Sequence, residues 1–203
     1  MTRKGKSYLT LAEHDARLKA EGKWDAYVTR KKEEDEAFRR RQEEYSRAET
    51  PLMEELRGVG VAVSSVWDLV NENNRYQQSL PILLSHLRRS YPDAVRDGMA
   101  RALAVPDAKF AWPVLVELYR QEQGERTKDG LAVALSNIAD DDVVDELIAL
   151  AKDSQHGGSR VLLLDALRRS RLPQARKALM EFGTDPLLQK EAQRILRYRK
   201  RSR

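Results

Sequence analysis

Apolar residues recur along this chain in blocks, and the blocks repeat at a fixed step. Leu80-Pro81-Ile82-Leu83-Leu84 is matched thirty-two residues later by Trp112-Pro113-Val114-Leu115-Val116. Val144-Asp145-Glu146-Leu147-Ile148 follows after the same interval, with Asp145 in the proline position. Leu83, Leu115 and Leu147 are thereby equivalent, and Leu179 falls one further step on. A second block keeps the same period. Arg96-Asp97-Gly98-Met99-Ala100-Arg101-Ala102-Leu103 aligns with Lys128 to Leu135 and with Arg160 to Leu167. A base opens each copy and an Ala-Leu pair closes it. Self-similarity at this period predicts stacked helical hairpins, each an A helix, a turn and a B helix. Pro81 and Pro113 suit a helix first turn, where a missing N–H costs nothing. The predicted pairs are about 79–89 with 93–104, 110–121 with 125–138, 142–152 with 159–169, and 173–182 with 186–199. Asp93, Asp107, Asp140 and Asp185 stand at predicted helix starts, where their oxygens can accept from free N–H groups.

Ahead of the array the pattern changes. Thr10-Leu11-Ala12-Glu13 is a capping box, so a helix should begin at Leu11 and end before Gly22. A second helix is expected from Trp24 to Ala48. Its large apolar residues are Trp24, Tyr27, Val28, Phe38 and Tyr45, and the rest is a charge run. Opposite charges four apart, such as Lys31 and Asp35, support an exposed helix. Thr50-Pro51 reads as a fresh start for a short helix through Leu56. Gly58 to Val63 is expected to be a packed connector. Ser64 or Ser65 then caps Val66 to Asn71, a half-unit closing the array with Trp67. Asn71 to Asn74 is expected to be a loop, and residues 1–9 a basic leader. The organisation predicted is a charged helical extension, 1–58, followed by a repeat domain, 59–203.

Charged residues make up 34% of the chain, and no run of eighteen apolar residues exists, so no membrane span is expected. Without cysteine there is no thiol chemistry, and a reducing, cytoplasmic setting is expected. The net charge is +5, and six bases lie in the last ten residues with no acid among them. The rest of the chain therefore sums to −1, which argues against nucleic-acid binding along the whole array.

The aligned residues resemble the HEAT-repeat superfamily, especially the short bacterial units of the phycobilisome-lyase-like class. The resemblance covers about residues 65–199. It implies an all-α fold, a right-handed α-solenoid with B helices along its concave face. It also implies a scaffold or inhibitor that binds another protein, and the small size without a targeting signal would suit a bacterial immunity protein or adaptor. The alternative within the same fold is a nucleic-acid-binding relative of the HEAT-like alkylpurine DNA glycosylases.

No catalytic set stands out. His14, His86 and His156 lie far apart and lack metal-ligand spacing, so no metal and no cofactor are expected. The Asp140-Asp141-Asp142 run is read as a cap. The B-helix positions that the core does not claim are more informative. Arg96, Asp97, Arg101, Lys128, Asp129, Arg160 and Asp165 form a mixed-charge ridge. Either these charges pair within the array or they meet a partner, where electrostatics would set specificity. A partner would be acidic rather than basic, since long bases open each helix. Trp24, Tyr27 and Phe38 are candidates to join that surface, because aromatics are enriched at interface centres.

Overall fold

The computed structural model describes residues 9–71 and 76–201, with the side chains of 199–201 left aside. The expected leader therefore lies almost wholly outside the described residues. So do most of the 71–74 loop and the last two residues of the tail. All regular structure among the described residues is helical. The chain divides into two compact units, 1–46 and 47–203.

In the first unit, α1 spans Leu11–Ala20. The capping box forms as expected: Thr10 Oγ1 accepts from the Glu13 N–H, and Glu13 Oε2 accepts from the Thr10 N–H at 2.8 Å. Gly22 takes φ +66°, and the Lys23 N–H reaches back to the Leu18 carbonyl, which closes the helix. The next helix, α2, spans Trp24–Gly58 and differs from the expectation. It is one helix of 35 residues, with Pro51 inside it, where two helices were predicted. An interior proline removes one backbone bond at a cost of about 3 kcal/mol. Burial beyond the proline offsets that cost, since Leu52, Met53 and Leu56 are buried in the second unit. These buried residues belong to the second compact unit, which starts at residue 47. Along the exposed part of α2, Lys31 pairs with Glu34 at 3.2 Å, one residue short of the expected Asp35.

The second unit begins within α2. After Gly58 the Val61 N–H returns to the Leu56 carbonyl, and Gly60 takes φ +83°. The connector that follows contains no strand, as expected. The next helix, α3, spans Val66–Asn71. Its start is capped by Ser65 Oγ, which accepts from the Trp67 N–H at 3.3 Å, and by Asp68, which accepts from the Ser64 and Ser65 N–H groups. Glu49 adds a bond from the Val66 N–H at 3.1 Å. Burial pushes the Glu49 carboxyl up from its usual range, and these donors oppose the shift.

Four helix pairs follow: α4 (Leu80–Leu87) with α5 (Asp93–Ala102), α6 (Trp112–Gln121) with α7 (Glu125–Ile138), α8 (Val144–Lys152) with α9 (Arg160–Arg169), and α10 (Pro173–Glu181) with α11 (Gln189–Arg201). Each A helix packs on its own B helix, and the B helices α5, α7, α9 and α11 pack side by side in a row that α3 begins. Leu83, Leu115, Leu147 and Leu179 are all buried at equivalent positions. Short 3-10 turns lead into several helices, so α6 and α8 start about two residues later than predicted. Helix α11 continues to Arg201, two residues past its predicted end at 199.

The capping aspartates divide. Asp140 and Asp185 accept from N–H groups just ahead of them, as expected. Asp93 instead caps the next unit. Its Oδ1 accepts from the Thr127 N–H in the first turn of α7 at 3.1 Å, and the Thr127 hydroxyl bonds it as well.

Glycines set the spacing of the B-helix row. A Cβ on Gly98 would stand 2.5 Å from Val66 Cγ1, and one on Gly130 would stand 2.6 Å from Asp97 Oδ1 and 3.0 Å from the Asp97 carbonyl. Gly98 and Gly130 occupy the same place in their repeats, so α3, α5 and α7 approach closely at the same level. Alanine at an ordinary helix position would be favoured by about 1 kcal/mol. Gly130→Ala is expected to do the reverse and lower stability by about 1–3 kcal/mol through overpacking. A thermal melt followed by circular dichroism checks the sign, since a rise in Tm would mean the row has slack.

Candidate functional site

The B-helix ridge is braced from inside. Asp97, in the second turn of α5, is buried at 3% exposure. Its Oδ1 accepts from Arg101 Nε at 2.6 Å, and its Oδ2 accepts from Arg126 Nε at 3.0 Å. One buried carboxylate thus holds guanidinium groups from two successive B helices. Gly130 makes this possible, because any larger residue would displace the carboxylate. Arg101 is one turn from Asp97 on the same helix, and Arg126 comes from the first turn of α7. Both arginines are engaged through Nε, and both are partly exposed. Arg126 also lies 5.7 Å from the Trp67 ring centroid, a cation–π contact that fixes its orientation. Asp129 stands close by. Burial raises its carboxyl above the usual range, and Arg101 opposes that shift.

The other ridge residues are committed in different ways. Arg96 forms an ion pair with Glu122, the acid that precedes α7. Lys128 donates to the Glu122 carbonyl at 2.9 Å and lies over the Tyr119 ring at 5.5 Å. Asp165 binds Arg168 and Arg169 at 2.7 and 2.5 Å, and they hold its carboxyl down against the effect of burial.

Two expectations need correction. Arg160 does not reach out from the ridge, since it is 3% exposed. Its Nη1 donates to the Ala151 carbonyl and to Asp185 Oδ2, and its Nε donates to the Gly157 carbonyl. It closes the end of α8 and ties the third pair to the fourth. Asp97 is likewise no contact residue, because its oxygens are buried and engaged. Of the two alternatives left open for the ridge, pairing within the array accounts for Arg96, Asp97, Arg101, Arg160 and Asp165.

Trp24, Tyr27 and Phe38 belong to the 1–46 unit and not to the unit that carries the ridge. Trp24 and Tyr27 rings lie 5.9 Å apart, His14 meets Tyr27 edge-on, and Lys19 sits over Trp24. Phe38 is exposed.

Sequence reasoning missed Arg126. It has no counterpart in the neighbouring repeats, where Ala94 and Gly158 stand at the same step. A search for recurring residues passes over it.

Two of the histidines are buried among neighbouring side chains. His86 is fully buried, with Nδ1 2.6 Å from the Tyr91 hydroxyl and Nε2 2.9 Å from Glu55. His156 packs against Tyr119, whose hydroxyl meets Ser159 Oγ at 2.8 Å. Among the described residues, no three His, Asp or Glu side chains are placed to hold a metal ion. No helix among them is long and apolar enough to cross a membrane.

No family model matches this chain, and no similar curated protein or solved structure is found.

Proposed function

We propose that the array is a right-handed HEAT-type solenoid and that the protein is a non-enzymatic binding module, a scaffold, adaptor or inhibitor for a protein partner. The contact surface is the B-helix row around Arg101, Arg126, Lys128 and Asp129. The carrying observation is the Asp97 bridge. It uses one nitrogen from each arginine and holds both guanidinium groups in place at the surface. Arginine offers five donors in a planar fork that matches a carboxylate. Two forks already ordered before binding lose little entropy when a partner's Asp or Glu docks. An acidic patch on a protein is therefore the expected partner, and the cysteine-free composition suits a reducing, cytoplasmic setting.

Charge reversal is a poor test here. Arg101→Glu would place a third carboxylate against Asp97 and Asp129 and disturb the fold. Arg101→Lys with Arg126→Lys keeps both charges beside Asp97 and removes the forks. A partner captured on the immobilised full chain would be titrated against wild type and this double variant by calorimetry. The expected result is a loss of about tenfold in affinity, roughly 1.4 kcal/mol, with little change in Tm. Unchanged affinity would move the contact away from the arginine pair.

A further inference from the structure

The positive charge of this chain is concentrated from the last turn of α9 onward. Residues 166–203 hold twelve lysines and arginines against three acids, a net charge of +9. The total of +5 then leaves −4 for residues 1–165. Nine of the twelve bases are arginine. The asymmetry extends well beyond the tail, since Arg168, Arg171 and Arg176 precede α11.

Helix α11 sorts these charges by face. Ala192 and Ile195 are buried against the array. At about 100° per residue, Lys190, Arg194 and Arg197 fall on the opposite side, and all three are exposed. Arg194 is paired with Glu191 at 2.7 Å. Among the described residues, no carboxylate lies within ion-pair distance of Lys190, Arg197, Arg171 or Arg176. Arg168 of the neighbouring B helix α9 lies near Arg194 and Tyr198, with its own charge held by Asp165 at 2.7 Å. Among the described residues this face of α11 meets no further B helix.

We propose that this terminal face binds the phosphate backbone of duplex DNA. Lys190 to Arg197 spans about 10 Å along the helix, at about 1.5 Å per residue. A duplex carries one charge per about 1.7 Å of its axis with both strands counted, so that length of duplex holds about six phosphates, roughly three on each strand. Arginine forks suit phosphate oxygens better than lysine does. An acidic protein surface mixes both signs, whereas a helix face whose exposed side chains Lys190, Arg194 and Arg197 are all basic is matched by a uniform polyanion. Single-strand binders use a groove with several stacked aromatics. This face is one straight helix with a single exposed aromatic, Tyr198. Contacts of this kind position a protein on DNA without reading sequence. The site is separate from the arginine pair on α5 and α7, and it does not depend on that reading.

The test is fluorescence anisotropy of the full chain with a labelled duplex of about 30 base pairs, over roughly 50 to 200 mM salt. The expected result is binding independent of sequence, with a log–log salt slope of about −3 to −5. Lys190→Glu with Arg197→Glu should weaken binding about tenfold or more and flatten the slope by about 2. Arg39→Glu with Arg41→Glu makes the same change in net charge on the exposed part of α2, and it should leave binding as it was. Thermal melts confirm that both variants fold. Absence of binding at low salt, or equal loss in both variants, overturns the proposal. So does tighter binding to single-stranded RNA of the same length, or equal binding to polyglutamate.

Discussion

Arg160→Met is expected to destabilise the protein by about 2–4 kcal/mol, because a buried guanidinium that serves three acceptors is lost. Methionine fills much of the same volume, so the loss reports hydrogen bonds and not a cavity. The Ala151 and Gly157 carbonyls would be left without this donor, and Asp185 would lose its ion pair with Arg160. Asp185 also caps the approach to α11 through the Leu187 and Leu188 N–H groups, so the fourth pair should loosen with the third. For a chain of this size the Tm would fall by roughly 5–15 °C. A drop of less than about 2 °C would mean that Arg160 is not the brace its contacts describe. Partner affinity, measured below the melting transition, should change little, because the residue offers nothing to the surface.

Leu115→Ala carries the largest expected loss from the apolar core, about 2–5 kcal/mol. Leu115 is 0% exposed and sits in the middle of the A-helix series that includes Leu83 and Leu147. Both neighbours along the series are occupied, so the site cannot collapse easily. Leu179→Ala is the informative comparison, since Leu179 is buried in the last A helix with one fewer pair beyond it. Chemical denaturation should rank Leu115 above Leu179. The reverse order would show that the terminal pair is the tighter part of the core.

The helix pairs were legible because packing in a stacked array imposes the same demand every thirty-two residues. Leu83, Leu115, Leu147 and Leu179 answer that demand, and all four are buried. The continuity of α2 was not legible. Thr50-Pro51 carries the local chemistry of a helix start, and the burial of Leu52, Met53 and Leu56, a tertiary effect, overrides it. The site was legible only in part. A period locates a residue along its helix and says nothing about what the next unit offers it. Arg96, Lys128 and Arg160 share one position, yet the first meets Glu122, the second a backbone carbonyl and a tyrosine ring, and the third Asp185. Gly98 and Gly130 were in plain view within the aligned blocks. Their role appears only once the helices on either side are close enough to exclude a methyl group.

The bond from Thr127 to Asp93 makes unfolding directional. The first turn of α7 takes its cap from the preceding pair, so melting α4 and α5 strips that turn of a partner, while melting α10 and α11 leaves it intact. In a linear array whose stability is a sum of unit and nearest-neighbour terms, such a bond belongs to the coupling between units and not to either unit alone. Hydrogen exchange at the Thr127 amide would therefore follow the opening of the first pair. Its protection factor would read out the state of a helix start that lies 34 residues earlier in the chain.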